Sequence, residues 1–325
     1  MATPTAHDGA CTYALHGLCV RSEVPLDAPV VDASPHDIEI VWGERRVIAD
    51  AAPDGELLSY LSPPDGDSWL VRGADGYVWR VQGACEFITD ATRRHVRVHL
   101  APDTEAELAS LLAVTFLARM LVLDGHCVLH ASAVEVDGSA IALVGHTGSG
   151  KTTLAALCCA VGTLLITDDA LRVEPGDSGA SCYSGSCELR LRPQAARFAE
   201  LFEPQAQRTT LDGRTAVRPA HAEGVTFPLA ALVAPRCVEA LATIHVERLR
   251  GAVAALELMR FPRTLGWTDD APAQHSLEIL SELAASVPIY RADLPWSDDL
   301  GPQLASDLLA EVLAESAGVS GRRRR

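Results

Sequence analysis

Short apolar runs alternate with turns rich in proline, glycine and aspartate from residue 11 to residue 100. Such runs between such turns are typical of β-strands. The runs are CTYALHGLCV, DIEIVW, SWLVRG, GYVWRVQG, CEFIT and HVRVHL. They predict a small β-rich N-terminal domain over residues 1–102, followed by a second domain over residues 103–325.

A long helix is predicted at the start of the second domain. Thr104 and Glu107 have the spacing of a capping box, and Gly125 marks the end of the helix. Apolar residues occupy nearly all of its sides, so we expect the helix to be buried. Its most apolar part, Leu108–Leu123, is short for a membrane span and contains Arg119, which favours a core helix.

Strands and helices then follow in mixed order. The predicted elements are a strand over 126–136, an Asp137-Gly138 turn, a strand over 140–144, the loop GHTGSGKT, a helix over 151–161, a strand over 163–167, helices over 274–286 and 302–315, and a strand VPIYRADL between these two helices. Two intervening stretches, 175–187 and 203–222, are expected to be loops, either lids and acceptor-binding segments or ordinary surface. A hairpin that leads into a strand–loop–helix unit predicts an α/β fold with a mixed sheet.

The hairpin turn also predicts a register. If Asp137-Gly138 is a two-residue type I′ turn, Val136 faces Ser139, and residues whose numbers sum to 275 lie opposite each other. His130 then lies opposite Gly145, the first residue of the glycine-rich loop. A slip of one residue would aim the histidine at the other face of the sheet.

Charge and cysteine content exclude several classes of protein. Of the 325 residues, 48% are hydrophobic, and the formal net charge is −16, which argues against a general nucleic-acid or anionic-membrane binder. The nine cysteines are odd in number and form no CxxC motif, so we expect reduced thiols rather than disulfides or a zinc site. The opening MATPTAHDGA has no basic or apolar region typical of a signal peptide, and we expect a cytoplasmic protein.

The loop GHTGSGKT carries the strongest chemical signal. It matches GxxxxGK[ST], with an apolar strand before it and a helix after it, so its backbone N–H groups are expected to bind phosphate oxygens. Lys151 is the only lysine in the chain, and a compact ammonium fits between phosphate oxygens better than a guanidinium. The predicted nucleotide-binding residues are Gly145, His146, Thr147, Gly148, Ser149, Gly150, Lys151, Thr152 and Thr153.

Two carboxylates, Asp168 and Asp169, end the apolar run TLLIT. Alternation along a strand predicts that their side chains point to opposite faces. One can then approach the γ-phosphate and an acceptor, while the other orders the metal shell or the backbone. The hydroxyl of Thr152 is expected to bind Mg²⁺.

The run LHASAVEVDGSAIALVGHTGSGKTTLAALCCAVGTLLITDDALRVE resembles the catalytic domain of the HPr kinase/phosphorylase family. A histidine opens the strand before the phosphate loop, and a later strand ends in two aspartates. The resemblance implies that Asp169 is the catalytic base and that His130 orients it or the γ-phosphate. It further implies catalytic roles for Lys151 and Asp168.

The same resemblance extends to a metal site and to a phosphate-binding arginine. It implies that Thr152 and Asp168 hold magnesium and that Glu188, in SCELRLRP, is a further metal carboxylate. An arginine that contacts phosphate corresponds to Arg214 or Arg218, and the motif does not decide between them.

Other segments resemble HPr-kinase-like enzymes of bacterial peptide natural-product clusters, which phosphorylate a serine of a lasso-peptide precursor. These segments are YALHGLCVRSEVPLDAP, ELRLRP, LAALVAP and VPIYRADLPWSDDL. The likeness implies an α/β, HPr kinase/PEP carboxykinase-like P-loop domain with a mixed sheet, preceded by a small β-rich domain. The helix after the loop departs from true HPr kinases, because it begins KTTLAAL rather than with an acidic KSE.

The expected activity is ATP-dependent phosphoryl transfer, with Mg²⁺, to a serine hydroxyl of a peptide or protein. Two alternatives remain open: a kinase of a small hydroxylated metabolite and a non-catalytic ATP-binding module. Neither nucleic acid nor membrane is expected as a partner, and a homo-oligomer is left open.

Overall fold

The computed structural model describes residues 9–63, 66–177, 179–239, 241–264, 266–297 and 300–320. The opening MATPTAHD therefore lies outside the described residues. The fold is mixed α/β, with several mixed or antiparallel sheets and a few helices. The chain divides into two compact units, one of residues 1–120 with 265–270 and the other of residues 121–264 with 271–325.

The first unit is built on one eight-stranded sheet in the order β1-β2-β3-β8-β7-β6-β5-β4. Its strands are β1 (Cys11–Leu15), β2 (Leu18–Ser22), β3 (Ile38–Trp42), β4 (Glu56–Leu61), β5 (Ser68–Arg72), β6 (Gly76–Val81), β7 (Cys85–Asp90) and β8 (His95–Leu100). The β-rich character predicted from the apolar runs is confirmed. Strand β4 was not predicted.

Helix α1 (Ala106–Leu123) packs against this sheet. Phe116 stacks on Phe87 at a centroid distance of 5.0 Å and on Trp79 at 6.2 Å. Arg119 is buried, lies over the Trp79 ring and donates from Nη1 to Ser59 Oγ at 2.8 Å. These contacts place most of the helix in the first unit, whereas a boundary at residue 102 would assign it to the second.

Among the described residues, α1 is the one helix long and apolar enough to cross a membrane by length and composition. Of its residues, 56% are buried within the protein. Arg119 lies within the protein, where it contacts Ser59 and Trp79. Burial of this kind is typical of a core helix, as the sequence predicted.

The second unit contains the remaining elements. These are β9 (Cys127–Leu129), β10 (Ala131–Val136), β11 (Ser139–Val144), α2 (Lys151–Ala160), β12 (Leu164–Thr167), β13 (Leu171–Gly176), β14 (Gly179–Tyr183), β15 (Leu189–Leu191), 3-10 helices Pro193–Leu201 and Pro204–Ala206, β16 (Gln207–Thr209), β17 (Thr215–Val217), β18 (Thr226–Val238), β19 (His245–Leu249), α3 (Gly251–Leu258), α4 (Ala271–Ser286), β20 (Ile289–Pro295) and α5 (Pro302–Ser320).

Strands β11, β18 and β20 run parallel in the central sheet, while β10 is antiparallel to both β11 and β12. The sheet is therefore mixed, as predicted. One of its faces packs with residues of α3 and α4, among them Ala254 and Leu280. The other face packs with residues of α2 and α5, among them Leu157 and Leu308. The unit is thus a helix–sheet–helix arrangement.

Several predicted elements differ from the observed ones. The strand expected over 126–136 is two strands, because the chain leaves β9, which pairs with β13, and enters β10, which pairs with β11. The stretch 175–187 contains β14, and the stretch 203–222 contains β16 and β17, which join β15 in a three-stranded sheet. These short strands are stabilised by pairing with distant parts of the chain, so their local sequence does not predict them.

Replacement of Phe116 by alanine tests the core of the first unit. Phe116 is fully buried between two aromatic rings, so the cavity left by Phe116→Ala should lower the free energy of unfolding by about 3–5 kcal/mol. Urea unfolding followed by tryptophan fluorescence measures the change. Leu57→Ala, at a position 40% exposed, is the control and should change it by less than about 1 kcal/mol. Equal effects of the two substitutions would contradict the packing described.

Candidate functional site

The hairpin β10–β11 has the register that its turn predicts. Val136 pairs with Ser139 and Ala131 with Val144, so paired numbers sum to 275 as expected. Asp137 and Gly138 both have positive φ, 50° and 80°, as a type I′ turn requires. The amide of Gly145 points to the carbonyl of His130 at 3.4 Å. The prediction that the histidine lies opposite the first loop residue is confirmed.

The glycine-rich loop forms a tight cradle before α2. Gly148 and Gly150 both adopt φ of 87°, in the left-handed region that favours glycine. A Cβ at Gly145 would come within 2.4 Å of Ser149 Oγ, and a Cβ at Gly150 would come within 2.8 Å of the Trp296 ring. Neighbouring atoms leave no room for a side chain at Gly145 or Gly150, whereas Gly148 is required by its positive φ.

One polar atom in the cradle lacks a partner. Ser149 Oγ is buried and makes no hydrogen bond within the described part of the chain. A buried hydroxyl without a hydrogen bond costs free energy of folding. Such a group in a folded loop indicates a place where a ligand can supply the missing bond. The first amides of α2 stand beside it, unpaired within the helix. Together these groups form a concavity lined by hydrogen-bond donors, a geometry that suits an anion.

Lys151 is buried and caps the loop from inside. It is 5% exposed, and its Nζ donates to the carbonyls of Gly145 at 2.8 Å and His146 at 2.9 Å. Burial lowers the pKa of Lys151 to about 8, although Asp168 and Asp169 act to raise it. The ammonium therefore lies in the electrostatic field of both carboxylates.

The two aspartates are separated by a backbone turn. Asp169 has φ of 72°, and the amide of Ala170 donates to the carbonyl of Asp168 at 2.9 Å, which closes a γ-turn with positive φ at its centre. This form of γ-turn is rare and strained. The two carboxylates contact different partners, as expected. The cause is the turn after β12, however, and not the alternation of side chains along a continuing strand.

Asp168 faces the start of α2. Its Oδ1 accepts hydrogen bonds from Ser132 Oγ at 2.5 Å and from Thr152 Oγ1 at 3.0 Å. Burial raises the pKa of Asp168, while the bond from Ser132 is the largest of the effects that oppose it. The arrangement is a buried carboxylate held between two hydroxyls.

Asp169 faces His130 and Arg263. Arg263 forms an ion pair with its carboxylate and donates from Nε to its backbone carbonyl at 3.0 Å. His130 Nδ1 lies 3.1 Å from that carbonyl and 3.3 Å from Oδ1. Burial acts to raise the pKa of Asp169, but Arg263, then His130, hold it well below its usual value.

The tautomer of His130 follows from its partners. Carbonyl and carboxylate oxygens only accept hydrogen bonds, so the proton that faces Asp169 is on Nδ1. Nε2 of the neutral ring is then an acceptor, and Thr147 Oγ1 lies 3.4 Å from it. His130 thus links the glycine-rich loop to Asp169.

The other predicted residues border the sheet β15–β17–β16: Glu188 directly precedes β15, Arg214 directly precedes β17 and Arg218 directly follows β17. Glu188 is buried, and both of its oxygens are engaged by arginines, Arg208 at 2.7 Å and Arg218 at 3.3 Å. Arg214 pairs with Asp212 at 3.0 Å. Within the described residues, no group of three or more His, Cys, Asp or Glu side chains forms a metal cage.

Three functional candidates were missed in the sequence. Arg263 follows α3, where no motif marks it, and its amide reaches the carbonyl of Val128 at 2.8 Å across β9. Ser132 faces Asp168 from β10, and the contact depends on the pairing of β10 with β12, which no local motif marks. Trp296, against Gly150, lies in VPIYRADLPWSDDL but was not singled out.

No protein-family model and no curated protein sequence matches this chain. Among solved structures, the chain is similar to the HPr(Ser) kinase/phosphatase from Coxiella burnetii, at 12% sequence identity. The alignment covers 61% of this chain and 96% of that one, with a TM-score of 0.35. A likeness at this level fixes neither the fold nor the activity, and both are argued from the geometry.

The single lysine allows a direct test of the buried ammonium. Protein labelled with [ε-¹³C]lysine should show one side-chain resonance, whose titration gives a pKa of about 8 for Lys151. A polyanionic ligand such as tripolyphosphate should shift the titration to higher pH, because a bound anion favours the charged form.

The sign for stability follows from the same titration. The pKa is lower in the folded chain, so the buried charge costs stability below pH 8. Lys151→Met should therefore raise the melting temperature at pH 7, and the difference should shrink as the pH rises above about 8. A lysine pKa at the ordinary 10.5 would refute the burial.

Proposed function

We propose that the protein is an ATP-dependent phosphotransferase of the serine-kinase type, HPr-kinase-like in its site. The observation that carries the proposal is the loop itself. A buried lysine and an unsatisfied buried Ser149 hydroxyl face an anion cradle, and two carboxylates lie within its electrostatic field. A triphosphate meets each of these requirements at once, since it is anionic, accepts many hydrogen bonds and carries a metal.

ATP is the phosphoryl donor in this proposal. Its β- and γ-phosphates would take the loop amides, Ser149 Oγ and the ammonium of Lys151, which would exchange the carbonyls of Gly145 and His146 for phosphate oxygens. The binding segment is Gly145–Thr153. Its buried position lowers the local dielectric constant and strengthens the attraction between ammonium and phosphate.

The residues present fit a magnesium ion. Thr152 Oγ1 and Asp168 Oδ1 are 3.0 Å apart at the edge of the cradle, and they are hard oxygen donors. Mg²⁺ is ordinarily held by one or two carboxylates together with substrate phosphates and water, so no cage of several side chains is required. When bound, the ion neutralises phosphate charge.

Glu188 does not fit this role as it stands. Arg208 and Arg218 occupy its oxygens, and a metal at Glu188 would require both ion pairs to open. We therefore assign magnesium to Thr152 and Asp168 and treat Glu188 as the residue that orders the two arginines.

Asp169 is proposed to receive the acceptor hydroxyl. Its side chain is 32% exposed, so a hydroxyl can reach it. The ion pair with Arg263 makes it a weak base, but phosphoryl transfer proceeds through a loose transition state in which positioning and charge stabilisation dominate. Asp169 would accept the hydrogen bond of the hydroxyl, orient its oxygen toward the γ-phosphorus, and take the hydroxyl proton as the new O–P bond forms and ADP leaves. His130 and Arg263 are positioning residues for this carboxylate.

The acceptor is proposed to be a serine of a peptide or protein, such as a ribosomal peptide precursor of a natural product. The resemblance of ELRLRP and VPIYRADLPWSDDL to kinases of peptide natural-product clusters supports this choice. A small hydroxylated metabolite would instead need an enclosed pocket near Asp169.

Asp169→Asn tests the chemical assignment. The variant should bind ATP with an affinity close to that of the wild type and should transfer phosphate to a serine-peptide library about 10²–10⁴-fold more slowly. Binding is measured by calorimetry and transfer with γ-³²P-ATP. Lys151→Met should lose ATP binding itself.

Asp137→Asn is the matched control. Asp137 also has positive φ, at 50°, and Asn-Gly suits a type I′ turn as well as Asp-Gly does, so this substitution keeps the hairpin register and should change neither binding nor transfer. Transfer by Asp169→Asn at the wild-type rate would remove the base assignment. Transfer to small alcohols and not to peptides would favour the metabolite kinase, and ATP binding without any transfer would favour a non-catalytic module.

A further inference from the structure

The small sheet β15–β17–β16 has two unlike faces. Leu189, Leu191 and Val217 belong to the apolar core with α2. On the opposite face, Arg190 of β15 pairs with Ala216 of β17. On its other side, Ala216 pairs with Arg208 of β16. Directly paired residues of an antiparallel sheet share a face, so both arginines lie on one side.

Further arginines continue this side. Arg192 directly follows β15 with an extended backbone, and Arg214 and Arg218 directly flank β17 and continue its backbone bonds, to Thr210 and Ala206. Continued alternation therefore places the three arginines on the same face as Arg190. The contacts of Arg208 and Arg218 with Glu188 agree with this placement. The arginine face is defined by five residues: Arg190, Arg192, Arg208, Arg214 and Arg218.

The charges on this face do not balance. Two carboxylates, Glu188 and Asp212, engage Arg208, Arg218 and Arg214. The side chains of Arg190 and Arg192 make no hydrogen bond or ion pair with any residue in the described ranges. A cluster of like charges is unfavourable unless an anion joins it.

The face adjoins the catalytic groups. The chain that enters β15 is bonded to β12, since the amide of Gly185 donates to the carbonyl of Ile166 at 3.0 Å. The chain that leaves β17 is bonded to β12 as well, since the amide of Leu165 donates to the carbonyl of Ala220 at 2.9 Å. The sheet that carries the arginine face therefore lies beside the strand that Asp168 and Asp169 follow.

The size and setting of the face favour an extended anion. Strands β15 and β16 lie on either side of β17, so the arginines span about 10 Å across the strands, which exceeds the reach of one phosphate group. A long nucleic acid would meet a protein of net charge −16, which repels it outside this face. A short peptide with several carboxylates satisfies both conditions, because arginine forks bind carboxylates in a bidentate manner.

We propose that the arginine face docks an acidic stretch of the peptide acceptor, next to the serine hydroxyl that Asp169 receives. The inference rests on the proposed kinase function and specifies its substrate class. Arg190 and Arg192 are the primary contacts, since Glu188 and Asp212 already hold the other three.

Binding without nucleotide tests the docking separately from the chemistry. The probe is a fluorescein-labelled twelve-residue peptide with one serine and four glutamates, compared with versions in which glutamine or lysine replaces glutamate. Anisotropy at low salt should show that the glutamate peptide binds at least about tenfold more tightly than the glutamine peptide. Added salt should weaken this binding.

Variants locate the binding on the arginine face. Arg190→Ala with Arg192→Ala should weaken the glutamate peptide about tenfold or more, which corresponds to loss of two charge-assisted contacts. Arg190→Glu with Arg192→Glu should reverse the preference toward the lysine peptide. Arg21→Ala with Arg72→Ala, at exposed and ion-paired positions of the first unit, is the control and should change nothing. Melting temperatures confirm that each variant folds.

The outcomes separate the two proposals. Equal affinity for the glutamate and glutamine peptides, or an unchanged affinity in the double alanine variant, would overturn the docking. Tighter binding of a dT12 oligonucleotide, or full displacement by equimolar inorganic phosphate, would overturn it as well. Transfer to serine peptides without acidic preference leaves the kinase and removes the docking, whereas acidic binding with no transfer removes the kinase alone.

Discussion

The type I′ turn at Asp137–Gly138 is the constraint on which the site depends. It sets the register of β10 against β11, so that the turn of the chain at His130 lies beside the first residue of the glycine-rich loop. Ser132 reaches Asp168 through the pairing of β10 with β12, in which Ala133 lies opposite Thr167. Because a slip of one residue between β10 and β11 would reverse every side chain of β10, the place of His130 beside the loop depends on two residues at the far end of the hairpin.

The site brings several ionisable groups together in a buried position, where desolvation disfavours their charged forms. Lys151 and Asp168 are 5% exposed each, and Asp169 sits in a strained turn. Burial disfavours the charged forms of the lysine and of Asp168, whereas Arg263 stabilises the charged form of Asp169. The groups are thus held together at a cost in free energy, which a bound anion near Lys151 would reduce. Such stored cost is typical of sites organised for a ligand.

Local signals sufficed where chemistry and sequence spacing coincide. The glycine-rich loop, the helix that follows it and the acidic pair were located to within a residue or two, since each requires particular residues at fixed positions. Elements that form by pairing of distant segments were not predicted. Strands β15, β16 and β17 are three residues each and exist because they pair with one another across intervening loops, and the arginine face exists only through that pairing.

The amino-acid sequence alone determined the glycine-rich loop between its strand and helix, the hairpin register and the position of His130 opposite Gly145, because turn chemistry and strand periodicity are local. The tertiary structure decided which partners the charges meet. Arg263 reaches Asp169 from 94 residues away, and Glu188 is taken by two arginines where sequence likeness implied a metal. Coulomb attraction acts between neighbours in space, and only the folded chain establishes which residues those are.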